Sequence, residues 1–191
     1  MAKHYITTPI SPEQAKAIRS GDEVYITGTI YTARDAAHKR MVEDLAAGRP
    51  LAFDPQGAVI YYVGPTPPKP GQVLGSAGPT TSYRMDKYTP TMLQQGVKAV
   101  IGKGYRSAEV KAALVENGAV YLAATGGAGA LLAKRIEAAE VIAYEDLGPE
   151  AIRKLTVKDF PAICINDAHG GDQYRDGQSE WVAPDAMVKP K

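Results

Sequence analysis

The sequence predicts an α/β domain, and the order of its apolar segments is the main evidence for that fold class. From about Val97 onwards, strand-like and helix-like segments alternate, as they do in parallel strands joined by helices. The N-terminal third adds further strand-like segments, so we expect a mixed sheet. No repeat and no linker divides the chain. We therefore expect one domain over residues 1–191, with a core at about 10–175 and a polar tail over 176–191.

The composition is that of a globular protein and argues against several classes of function. Apolar residues make up 45% of the 191 residues, and the formal net charge is +1. A nearly neutral chain has no overall field that would attract nucleic acid or an anionic membrane, so we expect neither partner. The N-terminus has no signal region, and no apolar run is long enough to span a bilayer. We therefore expect a cytoplasmic protein.

Metal-binding side chains are scarce in this sequence. Cys164 is the only cysteine, and it lies in an apolar run where a small buried thiol is expected. One cysteine forms no internal disulfide and cannot hold an iron–sulfur cluster by itself. The three histidines are too scattered to indicate a metal site, and we expect none in this chain.

Local patterns place the elements of the first half of the chain. Ser11-Pro12-Glu13-Gln14 has the form of a capping box and predicts a short helix that ends near Gly21. Gly28 interrupts a strand-like segment, which indicates a bulge. The proline-rich segment 65–71 predicts a stiff loop. Strands are expected over 3–7, 23–31 and 58–63, and a helix is expected over 32–47.

In the second half of the chain, short strands and helices alternate. The strands are expected over 98–102, 119–123, 138–144, 153–157 and 161–166. The helices are expected from Ser107 to about Gly118 and over 125–135, with a short helical turn at 147–150. Pro90 is expected to break or restart a helix within 88–95. The polar composition from Asp167 to Lys191 predicts a surface tail that packs on another part of the molecule, with Trp181 as its anchor.

The stretch Gly75–Asp86 combines small residues, a proline, three hydroxyl side chains, a cation and an acid. Pro79 before Thr80 and Thr81 predicts a tight turn that enters a helix N-terminus, where N–H groups and the helix dipole favour an anion. Arg84 lies about one helical turn beyond Thr80, so both side chains can face the same spot. A Gly-rich connector with a capped helix explains these residues equally well.

Three strand-to-helix turns each carry a cation, namely Arg34, Arg84 and Lys103. In open α/β sheets this edge is the usual ligand site, and converging cations would suit a dicarboxylate or a phosphate. Arg34 would lie in the first turn of a helix, where the dipole opposes a cation. It would therefore need a partner, either Asp35 or a bound anion. Separate surface cations are the alternative, because the chain has 22 Lys and Arg residues.

Other polar segments have simpler explanations. His38 lies one helical turn after Arg34, and a supporting role at the same crevice is more plausible than metal binding. The Gly-rich turn 125–129 lacks the spacing of a phosphate loop or a dinucleotide fingerprint, which favours a role in helix–strand packing. The polar segment 167–172 is expected to be a solvated loop. The chain has no Ser-His-Asp or Cys-His signature.

Several motifs, in order along the chain, resemble those of the class I fumarase and L-tartrate dehydratase family. Residues 78–86 resemble its GPTT-x-x-RMD motif, and Lys103–Ser107 resembles its KGNRS turn, with Tyr105 in place of Asn. Three further segments are similar to the family's ARD-x-AH, LGMEAI and DFPA runs: residues 32–38, 147–152 and 159–162. The resemblance covers about residues 10–175.

This resemblance implies a swivelling β/β/α domain in a hydro-lyase that reversibly hydrates fumarate to malate, or else dehydrates L-tartrate. It also implies a partner α subunit whose three cysteines hold a [4Fe-4S] cluster. In the family, the open iron of that cluster acts as a Lewis acid on the substrate hydroxyl. A chain of 191 residues with its own Met resembles the family's separate β subunit. We therefore expect activity only with the α subunit, and homodimerisation within the heteromer.

The resemblance also assigns roles to individual residues by motif position. Three cations would bind the substrate carboxylates: Arg34, Arg84 and Lys103. Thr80 would lie at the centre of proton transfer, although a threonine hydroxyl is a weak base unless it is activated. Four residues are expected to support this site from behind: His38, Thr81, Asp86 and Arg106. The motifs do not distinguish fumarate from tartrate as the substrate. The alternative outside the enzymes is a non-catalytic module that binds a dicarboxylate or another anion.

Overall fold

The structure is a computed structural model that describes residues 1–181, with side chains through residue 179. The strands are β1 (Lys3–Thr7), β2 (Glu23–Thr32), β3 (Val59–Tyr61), β4 (Ala99–Gly102), β5 (Val120–Ala123), β6 (Ile136–Ala143) and β7 (Ile152–Asn166). The helices are α1 (Pro12–Ala17), α2 (Asp35–Ala46), α3 (Thr89–Gln94), α4 (Ala108–Asn117), α5 (Gly129–Ala133) and α6 (Gln173–Trp181), with 3-10 turns at Ser82–Met85 and Glu145–Glu150. Within residues 1–181, no helix is long and apolar enough to cross a membrane.

The strands form one mixed sheet in the order β1-β2-β3-β4-β5-β7-β6. Strands β1 to β5 run parallel to one another, whereas β7 runs antiparallel to both β5 and β6. Strand β7 also pairs antiparallel with β2, and this additional pairing closes β2, β3, β4, β5 and β7 into a small barrel. The predicted α/β class with a mixed sheet is confirmed.

Alternating side chains along the barrel strands divide the hydrophobic core into two clusters. In β3, Val59 and Tyr61 belong to an inner cluster that also contains Leu122 of β5. The residue between them, Ile60, belongs to an outer cluster with apolar side chains of α2, α3 and α4. The helices therefore pack on the outside of the barrel wall, and the turns that lead into them leave the barrel at the carboxyl ends of the parallel strands.

Several local predictions are confirmed because they depend on neighbouring residues alone. The Ser11 hydroxyl accepts a hydrogen bond from Gln14 N–H, and the Gln14 side chain accepts one from Ser11 N–H, which completes the capping box. The helix ends at Ala17 rather than near Gly21. The register of β2 against β7 shifts between Ile26 and Gly28, so the predicted bulge is present.

The prediction of two strands over 153–157 and 161–166 is wrong, because β7 is one strand of 15 residues. Its backbone passes through Asp159 with a φ of 47°. The Asp159 N–H donates to the Thr27 hydroxyl (3.1 Å), directly opposite the bulge in β2. The gap that we predicted between two strands, at residues 158–160, is therefore an irregularity within β7 that lies opposite the bulge in β2.

The expected surface tail from Asp167 does pack on the domain in the part that the structure describes, but it is more regular than predicted. The Asp167 carboxylate accepts hydrogen bonds from the N–H groups of Ser20, His169 and Gly171, so this segment is a turn around a buried carboxylate, and only its tip at His169 and Gly170 is exposed as a solvated loop would be. Residues 173–181 then form helix α6. Residues 182–191 and the expected Trp181 side-chain anchor lie outside the described residues.

We predict that Leu122→Ala lowers the free energy of unfolding by about 2–5 kcal/mol, because it leaves a cavity in the inner cluster. Leu122 has no exposed surface. The matched control is Leu131→Ala, where the leucine is 65% exposed, and there the change should stay within about 0.5 kcal/mol. Urea unfolding of both variants is the measurement. Equal effects would contradict the assignment of Leu122 to the core.

Candidate functional site

The carboxyl ends of β2, β3, β4 and β5 lie side by side at one edge of the barrel, because these neighbouring strands are parallel. Arg34 follows β2, and Lys103 follows β4 directly. The stretch Gly75–Asp86 follows β3 after the proline-rich loop, and the Gly-rich turn 125–129 follows β5. The sheet topology therefore brings all four predicted segments to the same edge.

Backbone hydrogen bonds fasten the Gly75–Asp86 stretch along this edge. Thr80 N–H donates to Tyr62 O (2.7 Å), directly beyond β3. Thr81 forms a parallel bridge with Lys103, and Ser82 N–H donates to Lys103 O (2.8 Å). The stretch thus lies directly beside the turn after β4, which carries Lys103.

The expected α-helix N-terminus after Pro79 is absent, and this corrects the sequence prediction. Thr81 leads into the single 3-10 turn Ser82–Met85, and its side chain makes no capping hydrogen bond. One short 3-10 turn does not provide the aligned peptide dipoles of a helix. Anion binding at the Gly75–Asp86 stretch itself therefore cannot draw on an α-helix dipole and depends on cationic side chains such as Arg84.

Arg34 is paired with a carboxylate that the sequence interpretation did not name. Its guanidinium lies 3.5 Å from Glu150 rather than against Asp35. Glu150 also accepts a hydrogen bond from Ala36 N–H in the first turn of α2 (2.9 Å). The 3-10 turn before β7 thus supplies the negative charge that compensates Arg34 at a helix N-terminus.

The other two cations are more exposed. Arg84 donates to Asp35 (2.9 Å), and its side chain is 43% exposed. Lys103 is exposed and has no ion pair with any residue in the described part of the chain. Across Arg34, Arg84 and Lys103, the edge therefore carries three cations and two paired carboxylates, which leaves a positive excess facing solvent.

Arg106 forms a buried polar centre behind this edge. Its Nε donates to Asp86 (2.8 Å), and its Nη2 donates to the Thr89 hydroxyl (2.7 Å). The guanidinium lies over the rings of Tyr62 and Tyr121, at 5.4 and 4.9 Å from their centroids. The Arg106 side chain is fully buried, so this arginine is a structural cation and does not reach the open edge.

The same centre ties two turns of the edge together. The second oxygen of Asp86 accepts Ser107 N–H (2.6 Å), which joins the 3-10 turn after Thr81 to the start of α4. Ser82 Oγ accepts Lys103 N–H (3.0 Å) and bonds the Tyr121 hydroxyl (3.0 Å). Asp86 and Arg106 therefore hold the segments that carry Arg84 and Lys103 in a fixed relation.

The sequence interpretation missed several members of this arrangement: Tyr62, Ser82, Thr89, Tyr121 and Glu150. The two tyrosines could have been found, because a buried tyrosine in a strand needs a hydrogen-bond partner for its hydroxyl. Glu150 lies in the run 147–152 that resembles a family motif, but its contact with Arg34 joins residues 116 positions apart, so the motif alone does not reveal the pairing.

His38 is completely buried behind Arg34. Its Nδ1 lies 2.9 Å from Arg34 O, and its ring packs edge-on against Tyr62 at 5.3 Å. Burial is the main cause that lowers the His38 pKa from 6.5 to about 4, and the charge of Arg106 acts in the same direction. His38 is thus a neutral side chain that supports the Arg34 backbone.

The described residues do not fit a [4Fe-4S] cluster. Cys164 has no exposed surface and belongs to the inner cluster of the barrel, where burial raises the pKa of its thiol. Within residues 1–181, no group of three or more His, Cys, Asp or Glu side chains is arranged to hold a metal ion. A cluster that acts at this edge would have to be ligated by another chain.

The candidate site lies at an open edge of the barrel, where the Arg84 and Lys103 side chains are exposed. A groove of about 380 Å³ lies nearby, between the proline-rich loop and α5, with Leu74, Ser76 and Lys134 among its lining residues. Arg34, Arg84 and Lys103 do not line this groove. The three cations instead lie at the barrel edge, where a second surface could cover them.

Fold and edge together define an α/β barrel-like domain with a cationic surface at the carboxyl ends of its parallel strands. The model of the fumarase C-terminus family matches residues 3–177. This chain belongs to that family.

Named relatives match almost the whole chain. A Methanocaldococcus jannaschii protein, provisionally named as an L(+)-tartrate dehydratase subunit beta, is 36% identical over 90% of this chain and 91% of its own. The L(+)-tartrate dehydratase subunit beta of Escherichia coli K12 is 36% identical over 89% of this chain and 86% of its own. The anaerobic class I fumarate hydratase of the same strain is 40% identical over 78% of this chain, but the match spans only 28% of that longer protein.

We predict that Asp86→Ala lowers the free energy of unfolding by about 3–5 kcal/mol, because it leaves Arg106 as an unpaired buried charge. The control is Asp146→Ala, which removes an exposed ion pair with Arg40 (2.7 Å) and should cost less than about 1 kcal/mol. Urea unfolding measures both variants. A small loss in Asp86→Ala would show that the buried pair does not hold this edge together.

The buried His38 should make stability depend on pH. Its folded pKa lies below the unfolded value, so protons bind the unfolded chain first and stability falls as pH falls from 6.5 towards about 4. His38 should account for roughly 2 kcal/mol of the loss in unfolding free energy between about pH 7 and about pH 5. His38→Gln should remove that part of the slope in urea titrations at the two pH values. Identical slopes in the two proteins would contradict the burial of a neutral histidine.

Proposed function

We propose that this chain is the β subunit of an iron–sulfur-dependent hydro-lyase that reversibly hydrates fumarate to malate. The observation that carries the proposal is the cationic edge, where three successive strand turns contribute Arg34, Arg84 and Lys103. The family match supports the same reading, because the class I fumarate hydratase relative contains a region similar to this chain.

A dicarboxylate suits the charges of this edge. Arginine guanidinium groups bind carboxylates through two parallel hydrogen bonds, and such charge-assisted bonds are the stronger ones. Glu150 and Asp35 hold the Arg34 and Arg84 side chains in place before a ligand arrives. Lys103 has no ion pair in the described part of the chain, so its ammonium group is available to a substrate carboxylate.

Thr80 is our candidate for the proton transfer at the substrate carbon. It is half-buried, and its backbone is fixed by the hydrogen bond to Tyr62 O. Its hydroxyl makes no hydrogen bond with any side chain or backbone group in residues 1–179. A threonine hydroxyl is a weak base, so the neighbouring cations must favour its deprotonated form when the site is closed.

The proposal requires a second chain. The single buried cysteine leaves the [4Fe-4S] cluster to a partner α subunit, which would also cover the open edge. The coverage of the relatives supports an active site shared between two chains. This chain matches 91% and 86% of the length of two relatives that are named as β subunits. The same proposal includes a homodimer of this chain within the heteromer. It also includes a cytoplasmic location and no nucleic-acid or membrane partner.

L-tartrate dehydration is the second candidate activity. Two relatives that are matched along most of their own length carry the name of the tartrate dehydratase subunit beta. Both substrates are four-carbon dicarboxylates, so the same cations would bind either one. The difference would lie in the groups that contact the substrate hydroxyls.

The direct test is to reconstitute this chain anaerobically with a cluster-bearing α subunit and follow the loss of fumarate. We expect turnover that needs both chains. Turnover of L-tartrate without turnover of fumarate would move the assignment to the second candidate. Dicarboxylate binding by this chain alone, with no turnover of either substrate in the reconstituted pair, would overturn the proposal in favour of a non-catalytic binding module.

We predict that Lys103→Met lowers kcat/KM by roughly ten- to a hundredfold, because it removes one charge-assisted bond to a substrate carboxylate. The matched control is Lys39→Met, at an exposed lysine on α2 whose ion-pair partner is Glu43. Steady-state kinetics of the heteromer should show no comparable loss for the control. Wild-type kinetics in Lys103→Met would remove Lys103 from the site.

Replacing the Thr80 hydroxyl should affect turnover more than binding. Thr80→Val keeps the shape but removes the hydroxyl, and kcat should fall at least about a hundredfold, a typical loss for a missing proton-transfer group. Thr80→Ser keeps the hydroxyl and should retain most of the activity. If the valine variant turns over as fast as the serine variant, the proton is transferred elsewhere.

A further inference from the structure

The turn that carries Lys103 is fixed firmly on its inner side. Lys103 N–H donates to Ser82 Oγ (3.0 Å), and Ser82 N–H donates to Lys103 O (2.8 Å). The hydroxyl of the buried Tyr121 donates to Gly104 O (2.8 Å). Gly104 has a φ of 83°, a conformation that favours glycine, and the chain bends at this residue, directly after Lys103.

The outer side of this turn rests on helix α6. Tyr105 is 62% exposed, and its ring packs at a tilt against Tyr174, with 5.0 Å between the ring centroids. Its hydroxyl accepts a hydrogen bond from Gln178 Nε2 (3.1 Å). Both partners lie in α6, so two successive turns of this helix contact the residue that follows Gly104.

Helix α6 is itself anchored to the body of the domain. Asp172, directly before the helix, is buried and pairs with Lys111 of α4 (2.5 Å). Asp172 also forms a bridge with Asn166 at the end of β7. Tyr174 is half-buried and packs against the outer cluster. The helix is therefore a fixed support for the turn rather than part of a mobile tail.

We infer that α6 is a positioning element for Lys103, and that Tyr174 acts through its ring contact with Tyr105. The Lys103 side chain is exposed and has no ion pair in the described residues, so the position of its backbone sets the region that the flexible side chain can reach. Loss of the support would let the turn open outward and move that group away from Arg84. The catalytic consequence rests on the proposed function, whereas the effect on the turn does not.

The test compares Tyr174→Ala with Tyr25→Ala in the full chain, assembled with its α partner. Tyr25 is the matched control because it stacks on Tyr5 at the same 5.0 Å, on strands β1 and β2. For Tyr174→Ala we expect amide hydrogen exchange over residues 103–107 to be roughly three- to tenfold faster, and the substrate KM to rise by a similar factor, with kcat nearly unchanged. Tyr25→Ala should change neither quantity. Tyr174→Phe retains the ring and should restore both.

Two results would overturn the inference. Unchanged hydrogen exchange over 103–107 in Tyr174→Ala would show that α6 does not hold the turn. Faster exchange with an unchanged KM would show that the turn does not set the position of Lys103. If the wild-type heteromer turns over neither substrate, the proposed function fails instead, and the exchange measurement still decides whether α6 supports the turn.

Discussion

The buried ion pair between Arg106 and Asp86 is the interaction on which the rest of the candidate site depends. A buried guanidinium is costly unless it is paired and hydrogen-bonded. Here Asp86 and Thr89 accept from Nε and Nη2, two tyrosine rings lie against the cation, and Nη1 has no hydrogen-bond partner among the described residues. Asp86 also binds the start of α4 through Ser107 N–H. The pair therefore joins the segment after β3 to the turn after β4, and the two segments cannot separate without exposing the charge.

At the open edge, three cations (Arg34, Arg84 and Lys103) lie on neighbouring turns, and paired carboxylates reduce the repulsion between them. Glu150 and Asp35 each hold one arginine, and they belong to different parts of the chain. Lys103 is left without such a partner among the described residues and relies on its backbone supports. In our proposal this edge binds a dianion and forms one half of an active site whose other half comes from the α subunit.

Much of this arrangement could be predicted from local patterns. The capping box at Ser11, the bulge at Gly28 and the cap at Ser107 each depend on a few neighbouring residues. The placement of the three cations at one edge follows from the parallel strands before them. Glu150 and α6 could not be predicted in the same way, because their contacts join segments far apart in the chain. The apparent break in β7 at Asp159 likewise depends on the bulge in another strand.

The most direct test of the central claim is a crystal structure of the αβ heteromer with a bound four-carbon dicarboxylate. We predict that the ligand carboxylates lie within hydrogen-bond distance of Arg34, Arg84 and Lys103. We also predict that the Thr80 hydroxyl faces the carbon that loses or gains the proton. A dicarboxylate held away from these cations, with the edge of this barrel empty or covered only by protein, would contradict the account.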